Sequence, residues 1–396
     1  MFEDCYKLTS LDLSNFNTDK VENFANMFTY CLQITSLDLS SFNTMQAKNM
    51  SYMFQNCVRM ENLNIKNFKG DSVEDMTYMF VQCKELKTLD LSNFSTPKLK
   101  YLRSTFESLE KLEEIIIPKL TTNLVGTMNK LFSGCKKIAS LDVSTFDTSL
   151  VTDMSEMFRE CNNLQNIKFS SKFITKNVKT MYRMFDSDFS LTKLDLSSFD
   201  TSNVVKMNAM FSDCYSLTSL DITHFNTSKV TDLSSLFARC RSLTSIDVSH
   251  LDTKNSEYLS TMFHSCISLT SIDVSNFDFG KCMTTLQMFY NCTNVKNINI
   301  QKVKSEKLTT LSDMFSYCTS LTSLVLTGFD TTSVSQMGNM FANSGLKFID
   351  LSSFDTRNCR TFTGMFQNCK GLEIKIDKDK CINLINYLPS YVTIIE

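Results

Sequence analysis

Twelve of the fifteen cysteines recur at one spacing: Cys5, Cys31, Cys57, Cys83, Cys135, Cys161, Cys214, Cys240, Cys266, Cys292, Cys318 and Cys369. Thiols can ligate metals, pair as disulfides or act as nucleophiles, so the spacing decides which chemistry is open. Zinc sites bring thiols a few residues apart, and no CxxC pair occurs. Units stacked at about 4.8 Å hold their Cβ atoms farther apart than the roughly 3.8 Å of a disulfide. The row therefore reads as small buried hydrophobes, with disulfides and metal binding as the alternatives. Cys282 and Cys359 stand where other units carry Val and read the same way.

Histidine adds little. His224 and His250 fill one position in adjacent units, beside Asp221 and Asp247. Two imidazoles about 5 Å apart can grip a metal, but coincidental surface histidines are the plainer reading. His264 lies two residues from Cys266, which belongs to the buried row. No Gly-rich phosphate loop, GxSxG or HExxH is present. No catalytic residue, cofactor or metal site is assigned, and the chain reads as a non-enzyme.

Aspartate holds another fixed position, at Asp12, Asp38, Asp90, Asp142, Asp195, Asp221, Asp247, Asp273 and Asp350. Asp195, Asp221, Asp247 and Asp273 are consecutive. Like charges side by side repel, so water, neighbouring hydroxyls, a cation or a basic partner must offset them. The segment "LEKLEEIIIPKLTTNLV" (109–125) breaks the pattern. Leu109 replaces Cys, Ile116 replaces Asp, and Pro118 takes an outward slot. In "NIKFSSKFITKNVKTMYR" one residue is inserted, Lys168 replaces Asp, and Lys172 follows. Breaks in a repeat are where a partner would bind. Ile116, Lys168 and Lys172 are candidate partner-binding residues, with Asp195, Asp221, Asp247 and Asp273 as further contacts. Drift in a tolerant array and a solvated strand face are the bland readings.

The elements that carry these residues repeat every 26 positions, as the series Leu11, Leu37, Leu63, Leu89 to Ile374 shows. Such a period implies a solenoid, which grows by stacking. Within the clearest unit, "LTSLDLSNFNTDKVENFANMFTYC", the stretch "SLDLS" alternates as a strand does. Val21, Phe24, Met27, Phe28 and Cys31 fall three and four apart, which predicts a helix of about three turns. "NFNT" supplies capping oxygens between the two. The expected fold is an α/β solenoid of about 15 strand-turn-helix units. Helices need more room than strands, so the array should curve with the parallel sheet on its inner face. The Phe of "MF" recurs in every unit and reads as a stacked core.

The repeat, nearly letter for letter in "SLTSLDITHFNTSKVTDLSSLFARC" (216–240), resembles the 26-residue repeat of the BspA-like leucine-rich-repeat family of bacterial surface proteins. The resemblance covers roughly residues 1–376. It implies a right-handed leucine-rich-repeat-like array on the cell surface or secreted, acting in adhesion or host-protein binding through the inner sheet face. It implies no catalytic residues. No signal peptide is visible, so an intracellular or particle-associated scaffold assembling through solenoid ends is the alternative. Residues 377–396 read as a C-terminal cap. The first unit begins part-way through the repeat, which suggests a fragment, a start at a repeat Met, or end-to-end self-association. A net charge of −2 offers no field for nucleic acid, and no apolar run is long enough for membrane insertion. The partner expected is a protein. Sequons at Asn49, Asn93, Asn226 and Asn291 matter only on a eukaryotic secretory route.

Overall fold

Stacked repeats can satisfy backbone groups between neighbours rather than within themselves, and this chain does so. The structure is a computed structural model describing residues 1–326 and 328–395. The chain forms two compact units, Met1–Leu194 and Asp195–Glu396. Both are parallel β-solenoids, with about thirteen turns in all where about fifteen units were expected.

In the first unit β1 (Ser36–Asp38) pairs with β2 (Asn62–Asn64), β3 (Thr88–Asp90) with β4 (Glu114–Ile116), and β5 (Ser140–Asp142) with β6 (Asn166–Lys168). All are parallel, and the apolar centres are in register: Leu37 faces Leu63, Leu89 faces Ile115, Leu141 faces Ile167. In the second unit β7 (Ser271–Asp273) pairs with β8 (Asn297–Asn299). There β9 (Phe348–Asp350), β10 (Glu373–Lys375) and β11 (Thr393–Ile395) form a three-stranded sheet. The short helix α1 (Ile382–Ile385) lies between β10 and β11.

The predicted helices are not there. Among the described residues α1 is the only α-helix. Phe24–Cys31 instead forms two successive tight turns. Met27 N–H donates to Phe24 O at 3.2 Å and Cys31 N–H to Phe28 O at 3.1 Å, three residues back instead of four. The third residue of each turn, Asn26 and Tyr30, has φ of 59°. The alternate amides of Phe24, Asn26, Phe28 and Tyr30 donate to the next repeat, at Asn49, Ser51, Met53 and Gln55, over 2.8–3.0 Å. Four-residue turns set their corners three and four apart, so they mimic helical periodicity in sequence. A left-handed non-glycine residue costs about 1–2 kcal/mol. Inter-repeat hydrogen bonds of about 1 kcal/mol each, and the burial of one Phe ring per repeat at about 1.5–3 kcal/mol, offset it.

Those rings form the core. Phe28, Phe54, Phe80 and Phe106 stack in the first unit, and Phe237, Phe263, Phe289 and Phe315 in the second, with centroids 5.5–5.9 Å apart. All fifteen cysteines are free, and fourteen are buried. The thiols of the repeating row donate to the carbonyl of a stacked Phe: Cys57 to Phe28, Cys83 to Phe54, Cys266 to Phe237 and Cys318 to Phe289, at 3.1–3.2 Å. Burial pushes the Cys135 and Cys318 thiols up to about 12.

The "FNT" threonine clamps repeats together instead of capping a helix. Thr44 Oγ1 donates to Lys69 O at 2.8 Å and accepts from Lys69 N–H at 2.7 Å. Thr253 does the same to Asp278 in the second unit, at 2.9 and 2.7 Å. Each hydroxyl thus satisfies both backbone groups of one residue in the next repeat.

Candidate interaction surface

Strand residues alternate inward and outward, so Ile116, at the end of β4, points away from the buried centre and is 38% exposed. Its neighbour Ile117 is buried and anchors the strand. Ile116 and Pro118 form one wall of a cleft of about 230 Å³, and Asp142, Ser144 and Thr145 form the other. Lys168, on β6, donates to Asp142 Oδ2 at 2.8 Å. Ser144 N–H and Oγ donate to Asp142 Oδ1 at 2.9 and 2.5 Å. Lys168 and these Ser144 bonds hold the Asp142 carboxyl down at about 2. At neutral pH the cleft therefore sets an exposed aliphatic floor against a fixed carboxylate–ammonium pair. The pair is exposed, so its own contribution to stability is small, about 0–1 kcal/mol.

The structure thus joins Ile116 and Lys168 through Asp142. Lys172 sits apart. Its carbonyl accepts from Thr148 N–H at 3.1 Å and Ile174 N–H at 3.0 Å, and its charge acts on Asp147.

The four consecutive aspartates lie in the second unit. Oδ1 of Asp195, Asp221, Asp247 and Asp273 accepts the backbone N–H two residues on, from Ser197, Thr223, Ser249 and Ser275, at 2.9–3.0 Å. The backbone N–H and the side-chain hydroxyl of these residues together hold the carboxyls below the usual range. The same turn recurs at Asp12, Asp38, Asp90 and Asp350. The Asp-x-Ser spacing was legible as this turn, whose aspartate closes the strand. Each of these carboxylates therefore has a local structural task.

All five two-strand pairings that include an aspartate at this position set it beside a different residue: Asp38–Asn64, Asp90–Ile116, Asp142–Lys168, Asp273–Asn299 and Asp350–Lys375. Among the described residues no Asp–Asp neighbours form a ladder. Two carboxylates about 4.8 Å apart repel by roughly 1 kcal/mol in water and more near a protein surface, comparable with one ladder hydrogen bond. Asn64 and Asp90 do not pair either, nor do Ile116 and Asp142, so charge alone does not decide which strands form a ladder.

Sequence reasoning missed two exposed apolar residues of the second unit. Val325 takes an Asp slot and Phe348 a Ser slot, and they are 69% and 43% exposed. The signal was the same as at Ile116, an apolar residue in an outward slot. His224 Nε2 donates to Leu196 O at 2.9 Å. No group of three or more metal-ligating side chains occurs among the described residues, and no helix there is long and apolar enough to cross a membrane.

A family model described as "Mycoplasma protein of unknown function, DUF285" matches residues 1–94, 80–192, 126–244, 163–270, 214–323 and 285–388. Similar solved structures include a leucine-rich repeat protein from Bacteroides ovatus, 18% identical over 94% of this chain and 86% of that one, with a TM-score of 0.47. A leucine-rich cell surface protein from Faecalibacterium prausnitzii is 14% identical over 92% and 84%, with a TM-score of 0.37. A leucine-rich repeat protein from Eubacterium ventriosum is 16% identical over 84% and 82%, with a TM-score of 0.37. No curated protein matches the chain.

Proposed function

The chain belongs to the DUF285 family, and on that premise we propose that it is a non-enzymatic protein-interaction module that docks a protein ligand on its outward strand face. Its setting in this reading is the cell surface, in adhesion or host-protein binding. The observation that carries the reading is the Ile116 cleft. Its volume of about 230 Å³ is below the roughly 300–1,000 Å³ of small-molecule sites and suits one anchoring side chain of a protein. The Asp142–Lys168 pair beside it supplies orientation, as rim charges do in protein interfaces. A stable interface buries about 800 Å² per partner, so the ligand must spread from the cleft over neighbouring strands.

The test is surface plasmon resonance against a panel of immobilised matrix and serum proteins, with the wild-type chain and an Ile116→Asp/Lys168→Glu variant of unchanged melting temperature. A ligand bound at least tenfold more weakly by the variant is the expected result. Equal binding by both would remove the Ile116 cleft from the interface.

A further inference from the structure

The second unit carries a pair of clefts that differ in chemistry from the one at Ile116. One, of about 330 Å³, has Val325 and Phe348 on its walls with Asp350 at its edge. The other, of about 240 Å³, runs from Val325 to Asn297, Asn299 and Gln301. Val325 lines both, so the two clefts adjoin. Together they have the capacity of a small-molecule site, which neither the Ile116 cleft nor a flat strand face has.

The lining is an apolar floor with a neutral polar rim. Phe348 and Val325 offer an exposed aromatic ring and an exposed branched aliphatic. Three carboxamides stand along one side. Asn299 is oriented by donating to Asp273 Oδ2 at 3.2 Å, and Gln301 donates to Asn299 Oδ1 at 3.4 Å. A carboxamide carries both donors and an acceptor, which is what a hydroxyl group needs from a partner. Among the described residues no Lys or Arg lines either cleft. The Asp350 carboxylate already accepts from Ser352 N–H at 2.9 Å. Lys375 stands beside Asp350 on β10 and outside the lining, so an anion finds no counter-charge on the floor itself, and a cation only a carboxylate that already accepts a backbone N–H.

We propose that the Val325–Phe348 trough binds a neutral saccharide, with the C–H face of a sugar ring on Phe348 and Val325 and its hydroxyls on Asn297, Asn299 and Gln301. This site is independent of the Ile116 cleft and of the protein ligand proposed there. It rests on the complementarity of an aromatic–aliphatic floor and an amide rim to a molecule that is apolar on one face and hydroxylated at its edge.

The test is a microarray of neutral and sulfated oligosaccharides probed with the full chain, followed by calorimetry on each oligosaccharide retained. Val325→Asp/Phe348→Ser installs the residue types that other repeats carry at these slots. Asn299→Ala/Gln301→Ala leaves the apolar floor intact and serves if the first variant melts at a lower temperature. Retention of a neutral oligosaccharide is expected, with affinity lowered at least tenfold by either variant and unchanged by Ile116→Asp. An array that retains no neutral oligosaccharide overturns the proposal. So does binding that neither variant weakens, or capture of sulfated chains alone. A trough that instead takes an immobilised apolar peptide, with loss on Val325→Asp/Phe348→Ser, is a peptide dock and overturns it too.

Discussion

Asp188 takes the place that cysteine holds in twelve other repeats, and it is fully buried. Cys161 N–H donates to its Oδ1 at 2.9 Å, while Oδ2 has no hydrogen-bond partner among the described residues. Burial pushes this carboxyl well above the usual range. An acid whose folded pKa is raised binds its proton more tightly when folded, so the unfolded chain ionises first. Stability is then lost as pH rises from about 3.9 toward the folded pKa. Asp188→Asn keeps the Oδ1 acceptor and removes the charge. It should raise stability to urea by about 1–3 kcal/mol at pH 7 and have little effect near pH 3, which urea titrations at the two pH values will show. Gly134 is a second residue set by its backbone. Its φ is +77°, and an added Cβ would lie 3.2 Å from the Ser108 Cα. Gly134→Ala should lower stability by about 1–2 kcal/mol, read as a fall in urea midpoint at unchanged slope.

At the level of the element, the corner threonine does the work that a helix cap was expected to do. Thr44 is fully buried and holds both backbone groups of Lys69. Thr44→Val keeps the shape and removes both hydrogen bonds to the Lys69 backbone. A loss of about 1–2 kcal/mol in urea denaturation is expected. The comparison with an exposed repeat hydroxyl is direct: Ser14→Ala, on the surface, should change stability by under about 0.5 kcal/mol.

Across the whole molecule the buried thiols set the response to alkali. Cys31, Cys135, Cys282 and Cys318 are pushed up to about 12, in each case chiefly by burial, against about 8.5 for an unfolded thiol. A raised folded pKa means that the stabilisation is present in full below about pH 8.5 and is lost as pH climbs toward 12. The urea midpoint should therefore be level from pH 7 to 8 and drop steeply above pH 9. In the native state at pH 8, Ellman's reagent should modify half-buried Cys5 first and the buried row only at the rate of unfolding. Rapid modification of most thiols would contradict a closed core.

The repeat, its period, the parallel strands and the inward Leu, Phe and Cys positions were all legible in the residues, because burial selects side-chain type and stacking repeats the selection every 26 residues. So was the oddity of Ile116 and Lys168. That Lys168 turns its ammonium onto Asp142 was not, because spacing places the two side by side and only the packed side chains show where each one points. The helix was misread for a physical reason: apolar residues three and four apart satisfy a helix and a run of tight turns equally. Only stacking decides between them, by giving the amides of Phe24, Asn26, Phe28 and Tyr30 acceptors in the next repeat. Local sequence chooses what is buried, and tertiary structure chooses where the backbone bonds go.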